Sequence, residues 1–180
     1  MSENKTPEAP AENQENGAVE PPYAIQIQYL KDLSFESPSA PSIFANGNLN
    51  PALSVKIDVT VQHLNENNFE VCIHLTADSK NGEEQAYLVE LVYGGIVRVG
   101  NVPQEMLQPL LLVEVPRLLF PYVRQILANA INEGGFPAVV LAPFDFMNLF
   151  RQRVEIAKAA AEKEEAEKAG TKAEEAPSET

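Results

Sequence analysis

"SVKIDVTVQHLNENNFEVCIHLTADSKNGEEQAYLVELVYGGIVRV", residues 54–99, decides the fold. Val55, Ile57, Val59 and Val61 alternate with Lys56, Asp58, Thr60 and Gln62. Side chains of an extended chain point alternately to opposite faces, so this is a half-buried strand over residues 54–64. "NENN" at 65–68 reads as a turn, after which Phe69, Val71, Ile73 and Leu75 alternate with Glu70, Cys72, His74 and Thr76. Asn81-Gly82 is a hairpin signal. Residues 85–99 are apolar on both faces, as a central strand requires, and Gly94-Gly95 reads as a bulge or bend within it.

Outward from this block, residues 23–30, "YAIQIQYL", place Ile25, Ile27 and Tyr29 opposite Gln26 and Gln28, a further strand. Its continuation, "YLKDLSFESPSAP" at 29–41, sets Asp32, Ser34 and Glu36 on one face and Leu33 and Phe35 on the other. Carboxylates are poor strand formers, so two in five residues mark a surface read by something else. Residues 37–53 hold Pro38, Pro41, Pro51 and Gly47 and read as an irregular connection.

After residue 99 the apolar period changes. Residues 103–135 read as a helix from Pro103 to Gly134-Gly135, kinked or divided by Pro109, Pro116 and Pro121. Residues 136–143, "FPAVVLAP", form an apolar loop, and residues 144–160 a second amphipathic helix. Strands followed by helices define an α+β class: a four-stranded antiparallel sheet with two C-terminal helices. Leu110 to Val113, Val115 and Leu118 to Phe120 make the first helix apolar over much of its circumference. One sheet cannot cover that, so the long helix is expected to join copies of the chain.

The chain has 180 residues and a net charge of −13. Residues 1–22 carry five glutamates against Lys5 and read as a disordered acidic arm. Residues 158–180 are rich in Ala, Glu and Lys and read as partly helical, then disordered. The folded domain is placed at 23–157. Within 23–150 thirteen Asp/Glu oppose six Lys/Arg, a field that repels nucleic acid and attracts basic partners. Cys72 is the only cysteine, which points to a reducing, cytoplasmic setting. No apolar run approaches the ~18 residues of a membrane span, so membrane insertion is not expected.

Catalytic constellations are missing. His63 and His74 have no partners at metal spacing and read as surface histidines. Cys72 reads as a spectator, and "GGIVRVG" at 94–100 lacks phosphate-loop spacing and its lysine. No enzyme activity, cofactor or metal is expected. The aromatics instead gather at element edges and loops. If the 136–143 loop and the sheet leave a gap, an apolar groove there would hold extended polypeptide, and several grooves on one oligomer would reinforce each other on a long chain.

Four motifs, "YLKDLSFESPSAPSIF" (29–44), "YLVELVYGGIV" (87–97), "LLFPYVRQIL" (118–127) and "GGFPAVVLAPFDFMNLF" (134–150), closely resemble the bacterial SecB export-chaperone family. The acidic arm falls outside the resemblance. The resemblance implies a homotetramer, a dimer of dimers with the long helices between the sheets. It also implies a chaperone that binds unfolded precursor proteins in the cytoplasm and delivers them to the SecA ATPase. On this resemblance Asp32, Glu36, Leu88 and Glu90 receive the basic, zinc-bearing tail of SecA, and the metal belongs to that partner. Phe35, Phe44, Phe136, Val140 and Phe144 are the corresponding expectation for a client groove. A SecB-like chaperone holding one dedicated client without SecA is the alternative.

Overall fold

The computed structural model describes residues 21–45 and 51–174, with side chains through residue 162. The acidic arm over residues 1–20 and the last six residues lie outside it. Strands β1 (Tyr23–Glu36), β2 (Ala52–Asn65), β3 (Asn68–Asn81) and β4 (Glu84–Val99) form one antiparallel sheet in the order β1-β4-β3-β2. β1 continues unbroken through the acidic stretch. The connection after it holds a short helix, α1 (Ser42–Ala45), pinned by the buried Ile43. The two hairpins turn where the sequence places them; at the second, Gly82 takes φ +68°, a conformation glycine adopts without strain.

Alternation sorts the sheet into two faces. Val71, Ile73, Leu75, Val89, Leu91 and Val97 are buried beneath the helices. The neighbouring residues in each strand point to the opposite face, which no helix covers among the described residues.

Gly94-Gly95 is neither bulge nor bend. β4 keeps register through both glycines with β1 and with β3. The register shifts of the β1–β4 pair lie in β1 instead, between Ile25 and Ile27 and between Leu30 and Asp32, on either side of the glycine pair. The glycines serve close approach: a Cβ on Gly95 would meet Leu119 at 3.2 Å, and one on Gly94 would meet the Tyr29 ring and Cys72 Sγ, each at 3.2 Å. The first bulge also corrects the expected alternation of β1. Ile25 pairs with Val97 on the helix side, whereas Ile27 pairs with Ile96 and is 54% exposed.

The long helix runs from 104 to 133 in three parts: α2 (Gln104–Pro109), a π-helical turn (Leu110–Glu114) and α3 (Val115–Glu133). Prolines bracket the wide turn. Pro116 has no N–H to donate and its ring crowds the carbonyl four residues back, and a π-turn relieves that crowding. Pro121, by contrast, is carried inside α3. By length and mean hydropathy, 1.2, this run is apolar enough to cross a membrane, which the expectation of no such run did not foresee. Its apolar residues pack on the sheet: Leu119, Val123, Leu127 and Ile131 are fully buried, and Tyr122 stacks on Tyr93 at 5.9 Å. Helix α4 (Phe146–Glu174) starts two residues later than its amphipathic pattern. Asp145 caps it, its Oδ1 accepting from the Asn148 backbone N–H at 3.0 Å. Arg153 ties α4 to the edge strand β2, donating to the Val59 carbonyl at 2.7 Å and pairing with Asp58.

Candidate functional site

The second β1 bulge determines the uncovered face. Leu30 pairs with Tyr93 on the helix side, and the next pair in register is Asp32 with Val92, on the uncovered side. Lys31 is the inserted residue, and its contact with Glu70 of β3 places it on the uncovered side with Asp32. Beyond the bulge, Ser34 pairs with Glu90 and Glu36 with Leu88. Asp32, Glu36, Leu88 and Glu90 therefore share one patch across β1 and β4, with Glu90 opposite the residue midway between the two β1 carboxylates. Diagonal Cβ atoms on neighbouring strands lie ~7–8 Å apart, so Glu90 sits within reach of both β1 carboxylates, which are themselves ~13 Å apart along the strand, beside Leu88. All three acids are exposed and Leu88 is half-buried. Among the described residues, none of these acids makes an ion pair.

Next to this patch lies a network that sequence reasoning missed. The Tyr29 ring crosses β4 over Gly94, where the missing side chain leaves room, and its hydroxyl donates to Glu70 Oε1. Lys31 Nζ donates to both oxygens of the same carboxylate, at 2.7 and 2.8 Å. Glu70 is only 9% exposed, so two donors on one buried carboxylate replace the water it has lost. Lys31, then Tyr29, hold the Glu70 carboxyl below its ordinary range. The hydrogen bond to Glu70, then burial, push the Tyr29 hydroxyl up to about 12. Cys72 faces the same side but is 4% exposed, and burial raises its pKa. It is a covered thiol rather than a nucleophile. His74 Nε2 is 2.8 Å from Thr60 Oγ1, a cross-strand contact on this face.

The five expected groove residues fall into separate places. Phe35, Phe44 and Phe136 meet around Tyr87: Phe136 lies 4.8 Å from Tyr87, 5.0 Å from Phe44 and 6.4 Å from Phe35. Phe144 belongs to a second cluster, 4.9 Å from Phe146 and 6.2 Å from Phe120. Val140 lies on the loop between them, 83% exposed. Phe136 is buried at the centre of its cluster, whereas Phe44 is 38% exposed. Beside Phe35 a cleft of about 500 Å³ opens between β1 and α3, lined by Leu33, Ile126, Asn129, Ala130 and Gly134. Leu33 is 40% exposed within it.

Gly134 sets the position of Phe35, because a Cβ there would overlap the ring. We expect Gly134→Val to displace Phe35 from Tyr87 and Phe136 and to cost about 1–3 kcal/mol, as overpacking does. Denaturant titration reads this as a lower midpoint, and an unchanged midpoint would show that the ring has room to move.

A sheet with one face under a proline-divided helix and the other bare and acidic is the scaffold of a SecB-like export chaperone. The sequence matches the family described as preprotein translocase subunit SecB over residues 16–157, and the chain belongs to that family. It is 44% identical over 138 residues to the protein-export protein SecB of Rhodopseudomonas palustris strain HaA2, covering 77% of this chain and 87% of the relative. Identity to the protein-export protein SecB of Agrobacterium fabrum is 42% over 144 residues, covering 80% of this chain and 90% of the relative. Among solved structures, the chain resembles the SecB-like chaperone Rv1957 of Mycobacterium tuberculosis, in complex with a ChAD peptide from the Rv1956 HigA1 antitoxin. The TM-score is 0.57 at 15% identity, covering 68% of this chain and 91% of the other, a likeness of fold alone.

Proposed function

We propose that the protein is a cytoplasmic holdase that keeps unfolded precursor proteins competent for translocation and passes them to SecA. The observation that carries this reading is the register of β1 on β4. It gathers Asp32, Glu36, Leu88 and Glu90 into one patch whose carboxylates make no ion pair among the described residues. Such a patch suits a basic polypeptide such as the zinc-bearing tail of SecA, with Leu88 as an apolar contact beside the carboxylates. Family membership, and the export name its relatives carry, favour this over a chaperone dedicated to one client.

Clients are held on the other side of the molecule. Phe44 offers an exposed apolar contact over the Phe136 ring beside Phe35, and Val140 offers a second on the loop that leads to the Phe144 cluster. The cleft beside Phe35 and the free edge of β1 extend this surface for a chain in strand-like conformation. One such site is weak against the ~4–15 kcal/mol cost of association, and repetition over a homotetramer, a dimer of dimers built through α3, supplies the avidity. The role is binding, with no chemistry performed on the client and no cofactor.

Calorimetry with one slow-folding precursor tests this without nucleotide. The unfolded precursor is expected to bind tightly and the folded one not at all. Equal binding of both, or of neither, would remove the holdase reading.

A further inference from the structure

The docking face carries a cation in its midst. Lys31 and Asp32 are neighbours in sequence, and the β1 bulge puts them on one face of the sheet. A lysine ammonium on its flexible four-carbon stem can reach more than one carboxylate around it. Both of its close oxygens belong to Glu70, two strands away on β3, and Asp32 is left without an ion pair among the described residues.

We propose that Glu70 is a positioning residue for the docking face: by holding the Lys31 ammonium away from Asp32, it keeps that carboxylate free for a basic partner. The inference rests on the docking role given above to Asp32. Three features support it. Among the described residues Glu70 is the one buried charged side chain, so its place on β3 is fixed by packing. Tyr29 donates to the same carboxylate and orients it from β1. Gly94 leaves the gap on β4 through which the Tyr29 ring reaches across. The lysine is the mobile member, with 46% of its side chain exposed against 11% for Glu70. Without Glu70 it would turn to Asp32, and a basic polypeptide would have to displace it.

The test uses the full-length protein and two readouts. The first needs no partner: the Lys31 Nζ resonance, assigned by its loss in Lys31→Met. Asp32→Asn should leave that resonance in place in the wild type and move it in a Glu70→Gln background, where the ammonium has changed partners. Movement already in the wild type, or none in the Glu70→Gln background, overturns the proposal. The second is calorimetry with the basic zinc-bearing tail peptide. Glu70→Gln should weaken binding about fivefold, the scale of a competing surface ion pair. Lys31→Met should bind at least as tightly as the wild type, and adding Glu70→Gln to it should change nothing further. A loss that persists without Lys31 would mean that Glu70 acts through its own charge or through the fold, and would overturn the positioning role. If the wild type fails to bind the peptide, the docking role of Asp32 falls, and the resonance experiment still decides what Glu70 does.

Discussion

Asp32→Lys combined with Glu90→Lys is expected to abolish binding of the basic SecA tail while unfolded precursor binds as before. Both carboxylates are exposed and, among the described residues, make no ion pair and lie under no helix. A charge-assisted hydrogen bond contributes about 1.5–3 kcal/mol, and reversal adds repulsion, so two reversals remove more than about 3 kcal/mol. That is at least a hundredfold in affinity. The fold should tolerate the change, since exposed substitutions typically stay within about 0.5 kcal/mol. Phe44, Val140 and the cleft beside Phe35 belong to other surfaces, so client binding serves as the internal control. Equal loss of both activities would refute separate surfaces.

Leu118→Arg with Tyr122→Arg is expected to break the oligomer. Leu118 is 49% and Tyr122 44% exposed on α3, and Met106 is 55% exposed on α2, although the opposite side of the long helix is fully buried. Both substituted residues also border a second opening along β1, with Ile25 and Ile27. Covering a large apolar side chain is worth about 1.5–3 kcal/mol, and a two-fold interface counts each residue twice. Two charged replacements therefore cost more than a marginal interface holds. Sedimentation at micromolar concentration should show a smaller species with the same secondary structure. An unchanged mass would place the interface elsewhere.

What the sequence discloses is the periodic part. Strict alternation in β2 and β3 reports one apolar face, and the structure turns it toward the helices, although Val61 at its end is 36% exposed and Glu70 and Cys72 are buried on the other face. Alternation after the second bulge also places Asp32, Ser34 and Glu36 opposite Leu33 and Phe35, as the register confirms. The bulges themselves leave no mark in the pattern, because the extra residues, Gln26 and Lys31, are polar and fit either face. Gly94-Gly95 signals an anomaly but not its kind. The glycines make room for partners that approach from β1 and α3, at 29 and 119 in the sequence. The Tyr29–Lys31–Glu70 network was hidden for the same reason, its partners lying 39 and 41 residues apart. The one available signal was a glutamate in a strand otherwise rich in apolar residues. Phe144 looked like a neighbour of Phe136 because both flank the apolar loop, yet each packs into its own ring cluster.

Separate surfaces for client and SecA are the centre of this account, and one titration addresses them directly. The zinc-bearing tail peptide is added to the chaperone alone and then to the chaperone saturated with unfolded precursor. The two affinities are expected to agree within about twofold, with the same stoichiometry. Loss of peptide binding in the saturated complex, or release of precursor by the peptide alone, would contradict it.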